Sequence, residues 1–161
     1  MTELNGMQQL LQRITDVLGK TGEPTQNFEQ ALGLVLGELK SETGTIHRLD
    51  EPGQELHLLA QIGLPPQLLA VIKVIPVGKG IAGQTVVMNQ PVRICNLQTD
   101  KSGVTKPGAK QTGVGGALSV PIRAAGKVVG TLGIGTMRQY EYSEEETRLL
   151  EEVAAVMGKY L

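Results

Sequence analysis

The sequence predicts an α+β fold, a mainly antiparallel sheet carrying helices on its faces. Three observations lead there: apolar residues recur at helical spacing at both ends of the chain, two pairs of short β-rich runs are joined by tight turns, and strands and helices do not alternate regularly as a parallel sheet requires. At 161 residues, 40% hydrophobic and 19% charged, the chain has the size of one domain with one core.

The elements follow in order. Residues 3–19 read as a helix, with Met7, Leu10, Leu11, Ile14, Val17 and Leu18 three and four apart. Residues 20–24 are a linker ending in Pro24, and 26–40 form a second helix with Phe28, Leu32, Val35, Leu36 and Leu39 on one side. Runs 45–49 and 56–61 make a hairpin about Asp50-Glu51-Pro52-Gly53, residues suited to a turn. A short helical piece at 67–72, a strand at 74–77, a helix over 81–89 stopped by Pro91 and a strand at 92–95 come next. Residues 96–115 show no period and read as a long loop. Strands 116–122 and 127–136 flank Ala124-Ala125-Gly126, and Ser143 with Glu146 forms a capping box opening the last helix.

Composition excludes several functions. A net charge of −1 offers no field for nucleic acid or an anionic membrane. The N-terminus shows neither a leader pattern nor a membrane anchor, and the single cysteine, Cys95, forms no disulfide within the chain, so a cytoplasmic setting is expected. Aromatic residues make up 2%, too few to stack a flat cofactor, and no cofactor is expected. Gly78-Lys79-Gly80-Ile81-Ala82-Gly83 matches a dinucleotide fingerprint, but Pro76 and Pro91 shorten its strand and helix, and no acid follows on the next strand.

Four segments in the right order resemble the GAF domain family: Val77-Gly78-Lys79-Gly80-Ile81-Ala82-Gly83; Asn89-Gln90-Pro91-Val92-Arg93-Ile94; Leu118 to Ile122 with Gly126 to Leu132; and Tyr142-Ser143-Glu144-Glu145-Glu146. The resemblance implies a GAF-like (profilin-like) six-stranded antiparallel sheet in α/β/α layers. Residues 23–161 would be the GAF domain and residues 1–22 a helix and linker serving dimerisation. It further implies a regulatory module, not an enzyme, that binds a small effector between the sheet, the helix starting near Ile81 and the loop 96–115.

Several residues are candidates for that site. The first N–H groups of the helix at Lys79, Gly80, Ile81 and Ala82 suit an anion or carboxylate, although the glycines equally suit turn geometry and close packing. Asn96, Lys106, Lys110 and Thr112 sit in the loop and are placed to close over a polar ligand; a solvated surface loop is the other reading. Strand alternation puts Leu118, Val120, Ile122, Val128, Leu132 and Ile134 on a bulky face turned to the long helices, and Ala117, Ser119, Thr131 and Gly133 on a small, partly polar face with room for a ligand, which a leucine at Ser119 would fill.

Rival readings stay open. Lys110-Gln111-Thr112-Gly113 resembles a stretch of cyclic-nucleotide-binding GAF domains, but Gly135-Thr136 stand where those carry Asn-Lys. A free methionine sulfoxide reductase on the same fold would need a second thiol besides Cys95. His47 and His57 read as surface residues on one hairpin, with no acid spaced to complete a metal site. The stripes Met7–Leu18 and Leu149, Val153, Val156, Tyr160 predict a homodimer through the terminal helices, since a monomer has no evident need of the first. A dimerisation module without a ligand, a stand-alone sensor reporting to a separate signalling protein, and a piece of a larger regulator are all compatible with these residues.

Overall fold

The computed structural model describes residues 2–96 and 115–161, with the side chains of the first helix from residue 6 onward. The described elements are α1 (Thr2–Leu18), α2 (Pro24–Glu38), β1 (Thr43–Leu49), β2 (Glu55–Ile62), α3 (Pro66–Ile72), β3 (Val74–Pro76), α4 (Gly80–Met88), β4 (Val92–Ile94), β5 (Ala117–Ala124), β6 (Lys127–Gly135) and α5 (Glu144–Met157). The six strands form one sheet in the order β3-β2-β1-β6-β5-β4, every neighbouring pair antiparallel. The fold is thus the α+β class expected, and no described helix is long and apolar enough to cross a membrane.

Local chemistry explains the boundaries. Pro24, expected in the linker, is instead at the start of α2, where its missing N–H would have had no partner in any case. Asn89 closes α4 in the left-handed region at φ 52°. Ala125 (φ 52°) and Gly126 (φ 80°) make the two-residue turn between β5 and β6. At α5 the Glu146 N–H donates to the Ser143 hydroxyl, and the Glu146 carboxylate accepts from the Ser143 N–H, closing the capping box.

The core lies on one face of the sheet. Ile46, Leu118, Val120, Ile122, Leu132 and Ile134 turn to this face and are buried under α2 and α5, with α1 packed on both helices. Across that face a Cβ on Gly44 would come 2.8 Å from Leu32 Cδ1, so glycine is what lets α2 settle against β1. Two expectations change. The β5–β6 register shifts between Ile122 and Arg123, and this bulge puts Val129, not Val128, against the core. The apolar stripe of α1 is used inside the chain: Leu10, Ile14 and Leu18 are buried in the same core as α2 and α5. The dimer argument built on a spare stripe loses its premise.

Ile14 is fully buried, so Ile14→Ala should cost about 2–5 kcal/mol in a urea unfolding experiment. A loss below about 1 kcal/mol would show that α1 is an appendage and not part of the core.

Candidate functional site

The opposite face of the sheet is built from small and polar residues because the bulky ones alternate away from it. Pairing across β1, β6 and β5 sets three rows: His47–Thr131–Pro121, Thr45–Gly133–Ser119, and Thr43–Gly135–Ala117. Two short helices cover the flanks. α4 lies over β5 and β6, where Thr85 and Ser119 share a hydrogen bond of 2.9 Å and Ile81 packs with Ala117 and Ile94. The end of α3 reaches β1 through the Ile72 carbonyl, 2.9 Å from His47 Nε2.

Between these flanks, Gly133 and Thr45 lie at the centre of this face. Gly133 and Thr45 are only partly buried, although both lie on inner strands. Of the described atoms, a Cβ on Gly133 would meet only Thr45 Oγ1 at 3.1 Å and the Leu118 carbonyl at 3.9 Å. On the other face Leu32 fills the corresponding space above Gly44. A glycine within a strand often marks close approach by something else.

His47 is 2% exposed, which corrects the expectation of a surface residue. The Ile72 carbonyl can only accept, so Nε2 carries the proton and Nδ1 is a bare acceptor. Nδ1 is buried and has no hydrogen-bond partner, the one such side-chain atom among the described residues. Burial lowers the His47 pKa below its ordinary 6.5; the Ile72 hydrogen bond works against this, and the neighbouring charge of His57 adds to it.

The start of α4 is shaped by backbone needs. Gly78 (φ 92°) and Gly80 (φ 65°) occupy the region that favours glycine, and a Cβ on Gly83 would come 2.7 Å from the Pro76 carbonyl. Lys79, the N-cap, is exposed and offers no side-chain cap, so the first N–H groups of α4 lack a protein cap from that residue. Gly80, Ile81 and Ala82 are half-buried. Ser119 lies beneath α4 with its hydroxyl engaged by Thr85, so a leucine there would press on the helix before reaching open space. Thr131 is 1% exposed in the row of His47. The Asn96 amide donates to Gln139 Oε1 at 3.3 Å. Lys106, Lys110 and Thr112 lie outside the described residues.

Thr45, His47 and Thr85 were not among the sequence candidates, and Gly133 was placed on the small strand face without being singled out. The burial of His47 depends on α3 and leaves no local trace.

A second cluster was also missed. Asp50, Glu55 and His57 offer ligand atoms within 4.8 Å of one another, because the hairpin sets Asp50 beside Glu55 and His57 two residues on. The group is exposed, and Asp50 Oδ1 already accepts the Gln54 and Glu55 N–H groups, bonds that hold its carboxyl below the usual range. Cys95 is an exposed free thiol whose carbonyl accepts the Tyr140 N–H at 3.0 Å.

The sequence profile of the GAF domain matches residues 23–161. The chain belongs to the GAF domain family. It is 26% identical over 152 residues to the Nif-specific regulatory protein of Azospirillum lipoferum and equally to that of Azospirillum brasilense. That match takes in 91% of this chain, which spans about a quarter (24%) of the length of those relatives. Among solved structures, the GAF domain of an Acinetobacter phosphoenolpyruvate-protein phosphotransferase superimposes with a TM-score of 0.80 at 21% identity, covering 97% of this chain and 92% of that one. The free methionine-R-sulfoxide reductase of Neisseria meningitidis superimposes with a TM-score of 0.78 at 17% identity, covering 96% and 87%. At these identities the structural matches establish the fold alone.

A lowered histidine pKa fixes the sign of a pH effect. The folded chain binds this proton less readily than the unfolded chain, so the stability is fully present above the unfolded pKa of about 6.5 and is lost as the pH falls. Wild type should therefore lose more stability than His47→Gln between about pH 7.5 and 5.5, by at most about 1.4 kcal/mol per pH unit in urea midpoints. Equal slopes for the two proteins would contradict the burial of a neutral imidazole.

Proposed function

We propose that this GAF domain is a sensory module that binds a small polar or anionic effector over the centre of the sheet, between α3 and α4. The observation that carries this reading is the accessible Gly133–Thr45 floor on inner strands, facing away from a fully packed core. The surrounding chemistry supports a polar ligand: the hydroxyl of Thr45, the bare His47 acceptor and the uncapped start of α4. In this reading Gly80, Ile81 and Ala82 supply N–H groups to an anionic end of the ligand, Lys79 adds charge, and Ser119 and Thr131 set the depth of the floor.

A regulatory role accords with the relatives that are named regulatory proteins. A reductase reading has a single thiol, Cys95, exposed at the end of β4, and no second cysteine to resolve an oxidised one. Output would pass through the helical face to a second copy of the chain or to a separate signalling protein. Self-association would use residues 1–22 and α5, now through the partly buried Leu11, Val17, Leu149 and Val156 and the exposed Tyr160.

Mass spectrometry of freshly purified protein, first native and then denatured, tests the proposal. A dimer carrying a small adduct that is lost on denaturation is the expected result, and the mass difference identifies the ligand. A bare monomer that no polar or anionic metabolite stabilises would overturn both the sensor and the dimer.

A further inference from the structure

Arg123 touches both layers of helices from one position at the bulge between β5 and β6. On the α4 side its guanidinium grips the end of that helix: Nε donates to Asn89 Oδ1 at 2.8 Å and Nη2 to the Asn89 carbonyl at 2.6 Å. Asn89 is the left-handed C-cap of α4, and its own N–H donates to the Thr85 carbonyl. On the α5 side the Arg123 carbonyl lies against the Gly158 α-carbon so closely that a Cβ there would come within 2.0 Å of the oxygen. Gly158 is the C-cap of α5. Its φ of −59° is open to any residue, so the contact itself, not backbone freedom, calls for glycine.

Among the described residues, α4 buries only Gly83 and Thr85. It enters through the positive-φ glycines 78 and 80, touches the sheet through Thr85 and Ile81, and exposes Val87 and Met88. A helix with few buried contacts opens and shifts at low cost. Its two ends differ, with a glycine turn at the first and a two-bond guanidinium clamp at the second.

We propose that Arg123 is a positioning residue that carries a displacement of α4 across the sheet to the last turn of α5. The inference rests on the reading that α4 flanks the effector site, and it names how occupancy reaches the helical face. Two bonds from a planar guanidinium fix orientation as well as distance, so a tilt of the α4 terminus moves the β5 backbone. That backbone lies directly on Gly158, with no flexible side chain between them to absorb the motion.

The test needs no effector, which separates its failure from failure of the sensor reading. Thr85→Val removes the hydrogen bond that seats α4 on Ser119, and amide hydrogen exchange is read at Gly158, Lys159 and Tyr160, whose N–H groups donate to Ala154, Val156 and Met157. The same substitution is made in an Arg123→Met background, which keeps the apolar stem and removes the clamp. Thr85→Val should speed exchange at these amides by about threefold or more with Arg123 present and by well under twofold without it. Gly83→Ala, which forces α4 away from the Pro76 carbonyl, serves as a second perturbation should Thr85→Val unfold. Unchanged exchange at the end of α5, or an equal change in both backgrounds, would overturn the proposal.

Discussion

The interaction on which the molecule depends is the seating of α2 on β1, where Leu32 sits above Gly44. A side chain at residue 44 would meet the tips of Leu32 and Leu36, which would have to shift on α2, the helix on which α1 packs. Burying leucine, isoleucine and valine there contributes about 1.5–3 kcal/mol per side chain, and a run of fully covered residues from Ile14 to Met157 sums such gains. Alternation along each strand then decides the other face. Once Ile46, Leu132, Val120, Leu118 and Ile134 turn to the helices, Thr45, His47, Thr131, Gly133, Ser119 and Ala117 must turn away.

The second face is built from smaller and more polar residues. α3 and α4 cover its flanks, each meeting the sheet through a hydrogen bond: Ile72 with His47, and Thr85 with Ser119. A buried acceptor without a partner costs about 1–3 kcal/mol, and His47 Nδ1 is such an atom. A fold bears this kind of cost most often at functional sites, where local consistency is given up. Gly133 lies in the row next to that histidine.

The elements were legible because each carried a local signal. The capping box at Ser143 and the turn at Asp50–Gly53 stand where their chemistry placed them, and the hairpin register of His47 with Leu58 follows from the turn. What local signals missed was set by contacts distant in sequence. The bulge that exchanges Val128 for Val129 depends on strand pairing. The burial of His47 depends on Ile72, which lies on α3. The stripe of α1 read as spare because its partners, α2 and α5, meet only in the folded chain. The candidate site was legible in outline through its small, polar strand face, Gly133 included, but its neighbours Thr45 and His47 were not, since they join that face only through strand pairing.

Whether the effector binds over Gly133 is tested most directly by measuring thermal unfolding of wild type and Gly133→Val with and without the small-molecule fraction extracted from the producing cells. Valine suits a strand and meets only the movable Thr45 hydroxyl among the described close contacts, so the variant should fold with a Tm within a few degrees of wild type. The extract should raise the Tm of wild type and leave that of Gly133→Val unchanged. An equal rise in both proteins, or none in either, would rule out binding over Gly133.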